Sequence, residues 1–130
     1  MPGTTYLPAE GRQGDAPEWP LASMTSAEEV AWRDLWATPQ AEAWAQLGIG
    51  AVRVVARYCR LVCTAEASMA GKPTVAGVQA IGEARQLEDR LGLTPMAMLR
   101  LRWEVVADEL AAARSDAPQP VTQRRIRAVE

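Results

Sequence analysis

The sequence predicts an all-α protein whose core is a helical hairpin, preceded by a short pair of helices. The main evidence is the segment 50–70, which contains no proline and no glycine after Gly50. It is long enough for about 5–6 helical turns. Its apolar residues cover most of the helix circumference, which indicates burial by several neighbours, some of them able to come from other copies of the chain. No segment shows the clear apolar–polar alternation of a half-buried strand.

Capping residues indicate where the other helices begin. Thr25 and Glu28 have the spacing of a capping box, in which side chain and backbone exchange hydrogen bonds at a helix start. Thr38-Pro39 and Thr94-Pro95 each combine an N-cap residue with a proline in the first turn. The helices predicted in this way span 26–37, 39–47, 50–70, 75–91 and 95–113.

The chain divides into three predicted segments: an extended N-terminal arm over 1–24, a helical domain over 25–113 and a flexible basic tail over 114–130. The arm contains four prolines and three glycines, which disfavour both helix and strand. Its apolar residues nevertheless favour docking on some other surface, above all over residues 17–24: Leu7, Trp19, Pro20 and Leu21.

Composition and motifs argue against several classes of function. Histidine is absent, and no phosphate-binding P-loop motif occurs, so we expect no catalytic residues, no metal and no cofactor. Cys59 and Cys63 are expected to be reduced core residues. The acidic residues of the first helix are interpreted as capping or solvated groups: Glu28, Glu29 and Asp34. No apolar run of membrane-spanning length and no signal pattern is present, which favours a cytosolic protein without membrane association.

Charge is unevenly distributed along the chain. The net charge is −2, but residues 1–47 hold two arginines and seven acids, whereas residues 48–130 hold twelve basic and nine acidic residues. On the long helix, Arg53, Arg57 and Arg60 form a stripe at i, i+4, i+7, with Lys72 nearby. Guanidinium groups in such a stripe can contact DNA phosphates without reading bases. Alternatively, the stripe is solvated or pairs with acids of this chain or of a neighbour, such as Glu83, Glu88 or Asp89.

Two further parts of the chain are candidates for DNA contact. The tail carries a second basic cluster, Arg124, Arg125 and Arg127, for DNA or partner contact, with a solvated tail as the alternative. Helices 26–37 and 39–47 resemble a helix-turn-helix in outline. The second helix, however, carries Glu42 and no basic residue, which opposes entry into a groove lined by phosphates. Packing of this pair, with Trp44 and Leu47 pointing inward, is the alternative.

The apolar residues of the two longest helices exceed what one neighbour would cover, which predicts self-association. The candidate contacts on the helix 50–70 are Val55, Tyr58 and Val62. Those on the helix 95–113 are Met98, Leu101 and Val105, which lie opposite the face expected to pack inside the subunit.

Several short segments, in their order and spacing, resemble the small terminase subunit of tailed double-stranded-DNA bacteriophages, in the form common among phages of actinobacteria. The resemblance covers residues 11–95. The segments are Gly11-Arg12, Ala16-Pro17-Glu18-Trp19-Pro20-Leu21, Trp32, Leu35-Trp36, Pro39-Gln40-Ala41, Arg57-Tyr58, Arg60-Leu61 and Leu91-Gly92-Leu93-Thr94-Pro95.

The resemblance implies a non-enzymatic protein that binds viral double-stranded DNA when genome packaging begins. It also implies a ring-shaped homo-oligomer, action in the cytoplasm of the infected bacterium, and recruitment of the large terminase subunit, which holds the ATPase and nuclease. A ring would multiply a modest basic patch and so let an acidic chain bind DNA. Two other functions stay open: a small helical transcriptional regulator, and a helical oligomeric adaptor that does not bind DNA.

Overall fold

The computed structural model describes residues 3–107. Within that range the chain forms five helices and two short strands, so the protein is mostly helical, as predicted. The elements are β1 (Thr5–Pro8), α1 (Ser26–Leu35), α2 (Gln40–Leu47), α3 (Ile49–Ala70), α4 (Val75–Arg90), α5 (Pro95–Leu101) and β2 (Trp103–Val106). The predicted basic tail lies outside the described residues.

Helices α3 and α4 pair as the predicted hairpin, and two side-chain features set their register. Gly77 of α4 lies against Ser68 of α3, where a Cβ would collide with the serine side chain. Glycine therefore lets the two helices approach closely near their connecting turn. Towards the other end, the Tyr58 hydroxyl donates a 2.8 Å hydrogen bond to Glu88. Residues near 57 thus lie across from residues near 90.

The core beside this hairpin is built from tryptophans. Trp19, Trp32, Trp36 and Trp44 form a chain of edge-to-face contacts with ring centroids 5.0, 5.6 and 5.5 Å apart. Such contacts contribute about 0.5–1.5 kcal/mol each beyond burial of area. The chain joins the N-terminal segment to α1 and α2, and all four rings belong to the core or pack against it. The expected docking of Trp19 is therefore confirmed.

The last predicted helix, 95–113, is wrong over residues 102–107, and its remaining residues lie outside the described range. Arg102 adopts the left-handed conformation, with φ of 62°, and ends α5; the chain then continues as β2. Strand β2 pairs in parallel with β1, and Leu7 at the centre of β1 is 1% exposed. Both strands span four residues, too few for a periodic signal, and their pairing joins distant parts of the chain. The arm was expected to contain no strand, so this expectation was wrong too.

Two of the three predicted N-terminal caps are confirmed. Thr25 and Glu28 form the complete capping box, and the Thr94 side chain accepts a hydrogen bond at the start of α5. Thr38 does not cap α2, because its hydroxyl donates instead to the Leu35 carbonyl at 2.7 Å. The turn between α1 and α2 is so tight that this hydroxyl satisfies the end of the preceding helix.

Candidate nucleic-acid interface

Two residues of the predicted basic stripe lie free on the surface of α3. Arg53 and Arg57 are both exposed and stand one helical turn apart. Neither forms an ion pair within residues 3–107. Their guanidinium groups are therefore available for an external anion, as the DNA-contact interpretation of the stripe requires.

The third residue of the stripe, Arg60, is engaged within the subunit. Its Nε donates to Glu28 at 2.8 Å, and its terminal nitrogen donates to the Ala22 carbonyl at 2.9 Å and to the Ser23 carbonyl. The guanidinium also stacks over the Trp19 ring at 5.4 Å. Arg60 thus fastens the N-terminal segment to α1 and α3. It is a structural residue in this fold, and these intrasubunit contacts oppose the predicted contact of Arg60 with DNA.

Glu28 caps α1, as its spacing from Thr25 predicted, but it is buried rather than solvated. It is 4% exposed, and its carboxylate accepts hydrogen bonds from the Thr25 backbone and from Arg60. The hydrogen bond from Arg60 holds the pKa of Glu28 below its ordinary value, although burial opposes this shift. The same bond raises the pKa of Arg60. The capping-box spacing pointed to Glu28, but no local signal pointed to a partner 32 residues away.

The acids suggested as partners for the stripe are occupied elsewhere or exposed. Glu88 accepts the Tyr58 hydroxyl, and Asp89 pairs with Arg100 at 3.2 Å. Burial, followed by the bond to Glu88, raises the pKa of the Tyr58 hydroxyl. Within residues 3–107, pairing of Arg53 or Arg57 with these acids is therefore wrong.

The other predicted cations do not join the exposed pair. Lys72 is exposed in the turn between α3 and α4. It is fifteen positions beyond Arg57, which corresponds to about 20 Å along the helix axis. The cluster Arg124, Arg125 and Arg127 lies outside the described residues. The candidate interface on the described structure thus consists of Arg53 and Arg57.

Two residues predicted to take part in self-association are buried inside the subunit, which contradicts that prediction for them. Val55 is 0% and Tyr58 is 6% exposed, because α1, α2 and α4 of the same subunit already cover these faces of α3. Val62 is partly buried against the same core, and Met98 is half-buried. Leu101 and Val105 stay exposed. Apolar side chains with a larger exposed fraction lie elsewhere: Val30, Leu47, Ile49, Met69, Val75, Val78, Met96 and Leu99.

Sequence reasoning missed one cation near the interface, Arg90. It lies in the last turn of α4 and, with Arg57, lines an open groove beside the start of α3. The antiparallel register of the hairpin brings these two residues together. Predicting the hairpin was not sufficient to find Arg90, because its position depends on which residues of α3 and α4 oppose each other.

Leu47 also differs from expectation. It was expected to point inward with Trp44, but it is 71% exposed beside the groove. Trp44 is buried, as expected, and its indole donates to the Leu91 carbonyl at 2.9 Å. The Gln40 side chain donates to the Gly92 carbonyl at 3.1 Å. Much of α2 is therefore committed to contacts within the subunit, which disfavours its insertion into a DNA groove.

The described residues show neither a disulfide nor a metal site. Cys59 and Cys63 are free thiols, and burial raises the pKa of Cys59 to about 12. Within residues 3–107, no cluster of metal-ligating side chains is found. None of the helices in that range has both the length and the apolar character needed to cross a membrane.

Comparison with protein-family models, with curated proteins and with solved structures finds no match to this chain.

Proposed function

We propose that this protein is a small terminase subunit that binds viral double-stranded DNA and assists the large terminase subunit at the start of genome packaging. The observation that carries the DNA-binding part is the exposed pair Arg53 and Arg57 on α3, which has no ion-pair partner within residues 3–107. Exposed guanidinium groups one turn apart suit contacts to successive phosphates rather than to base edges.

The segments that suggested the terminase resemblance also contact one another in the fold, which supports treating them as one set. Arg60 stacks over Trp19, and the Trp32 indole donates to the Pro17 carbonyl at 2.8 Å. Gln40 reaches the carbonyl of Gly92. Segments far apart in sequence therefore act together in positioning α1, α2 and α5 around α3.

The proposed assembly is a cyclic homo-oligomer, as the resemblance implies. Its support is the number of large apolar side chains left exposed, which include Met96 and Leu99 on α5 at 70% and 73%. A closed ring would cover such side chains and repeat the Arg53 and Arg57 pair around its circumference. The proposed site of action is the cytoplasm of the infected bacterium.

The test of DNA binding is a titration with double-stranded DNA at several salt concentrations. The double variant Arg53→Ala/Arg57→Ala is compared with Arg33→Ala, which removes an exposed arginine of α1. Each lost phosphate contact lowers the slope of log affinity against log salt by about 0.9, so we expect a slope shallower by about 2 or more in the double variant. A double variant with the affinity and slope of the control would contradict the proposed interface.

The same samples test the assembly by light-scattering mass. A wild-type chain that stays monomeric at micromolar concentration would contradict the ring. Wild-type DNA binding as a dimer would favour the transcriptional regulator. If the double variant loses oligomerisation while the salt slope stays unchanged, the adaptor without DNA binding is favoured. The variant Leu99→Glu is expected to lower the mass without unfolding the subunit, because this side chain is mostly exposed.

A further inference from the structure

An open groove of about 450 Å³ lies between the start of α3 and the end of α4. Most of the residues that line it are apolar: Leu47, Ala51, Val54, Leu87 and Leu91. Arg57 and Arg90 stand at the same groove and add two positive charges. The groove therefore combines an apolar surface with a cationic border.

The two arginines are not neutralised by the described part of the chain. Neither Arg57 nor Arg90 forms an ion pair within residues 3–107. Leu47 of the groove lining is 71% exposed, and Ile49, one residue before the lining residue Gly50, is 74% exposed. An occupant that buried these side chains and also carried negative charge would complement both features.

We propose that this groove binds an acidic amphipathic helix of a protein partner. Phosphates of a nucleic acid would satisfy the arginines but would leave the apolar lining exposed to water, whereas leucine-like side chains of a helix would cover it. A helix is favoured over an extended peptide because α3 and α4 present side chains to the groove. A helix pair has no strand edge to which an extended peptide could add.

The contact would use apolar residues spaced i, i+3 or i+4, and i+7 on the partner, with carboxylates placed towards Arg57 and Arg90. The apolar contacts supply affinity, and the charges orient the helix and exclude basic partners. This inference does not depend on the proposed DNA function, although Arg57 belongs to both surfaces. Arg90 therefore provides the cleaner test.

The probe is a synthetic helical peptide of about 16 residues, which spans about 24 Å. It carries leucines on one face and glutamates beside them. One control peptide replaces the leucines with serine, and a second replaces the glutamates with glutamine. Binding to the full chain is followed by fluorescence anisotropy of a labelled peptide at physiological salt.

We expect the leucine–glutamate peptide to bind and both control peptides to bind at least about fivefold more weakly. Arg90→Glu should weaken the first peptide by about fivefold or more, whereas Arg85→Glu, an exposed arginine of α4 outside the groove, should leave it unchanged. Leu47→Ser should also weaken it. Circular dichroism of each variant checks that the subunit is folded.

Four results would overturn the proposal. The first is no binding of the leucine–glutamate peptide at millimolar protein. The second is equal binding of the serine control, which would mean that only charge is recognised. The third is equal weakening by Arg90→Glu and Arg85→Glu. A short DNA duplex that displaces the peptide and depends on Arg90 but not on Leu47 would assign the groove to nucleic acid and would also contradict it.

Discussion

Replacing Glu28 by glutamine tests the contact that fastens the N-terminal segment to the helical core. Glutamine has nearly the same shape and keeps an oxygen that can accept the Thr25 backbone hydrogen bond of 2.9 Å. It removes the negative charge that accepts the 2.8 Å bond from Arg60. The substitution therefore isolates the charge-assisted part of the contact and leaves the helix cap largely in place.

The magnitude follows from burial and geometry. Hydrogen bonds to charged groups contribute about 1.5–3 kcal/mol net when they are well buried. Glu28 is 6% exposed in its side chain, but the Arg60 side chain is 39% exposed and can be rehydrated. We therefore expect Glu28→Gln to lower the free energy of unfolding by about 1–2 kcal/mol.

The contribution of Glu28 also depends on pH, with a definite sign. Because the folded pKa of Glu28 lies below its ordinary value of 4.5, the unfolded chain takes up the proton first as pH falls. The stabilisation is fully present above pH 4.5 and is lost as pH falls through the lower folded pKa. The difference between wild type and Glu28→Gln should therefore be constant above pH 4.5 and should shrink as pH falls below it.

Urea denaturation followed by tryptophan fluorescence measures these quantities, since the rings of Trp19 and Trp32 lie beside the contact. Glu29→Gln is the matched control, because Glu29 forms only a surface pair with Arg33 at 4.0 Å. It should change stability by no more than about 0.5 kcal/mol. If the two variants behave alike at pH 7, or if the Glu28→Gln difference does not vary with pH, the reasoning is refuted.

Three further predictions use pairs or single sites that the structure distinguishes. Gly92→Ala should lower the free energy of unfolding, measured by urea titration, by at least about 2 kcal/mol, because φ is +76° there and the Trp103 ring occupies the place of the new Cβ. Gly82→Ala, where the new Cβ would lie in open space on α4, should instead raise it by up to about 1 kcal/mol. In the same assay, Trp44→Phe should lower the free energy of unfolding by about 1 kcal/mol more than Trp36→Phe. The reason is that, within residues 3–107, the Trp44 indole donates a hydrogen bond and the Trp36 indole does not, so equal losses would contradict the prediction. Cys59 should resist alkylation at pH 8 in the folded protein and react once urea unfolds it, because burial raises the pKa of its thiol to about 12; rapid labelling in the native state would contradict its placement.

The sequence alone determined where most helices begin and end. The capping box of Thr25 and the cap at Thr94 were correctly predicted because both act over three residues of the same chain segment. The glycine after α3 and the proline-free run of 50–70 were equally local signals. These features predicted the hairpin of α3 and α4 and the mostly helical fold.

Only the tertiary structure decided which residues face each other. The partner of Arg60, the pairing of β1 with β2 and the meeting of Arg57 with Arg90 all depend on how elements dock. A charge pattern on one helix shows that three arginines share a sector, but it does not show which neighbour covers part of that sector. The free energy of docking is a sum over many weak contacts between distant segments, so it cannot be read from any short stretch of sequence. For this reason the stripe divided into one structural arginine and two exposed ones.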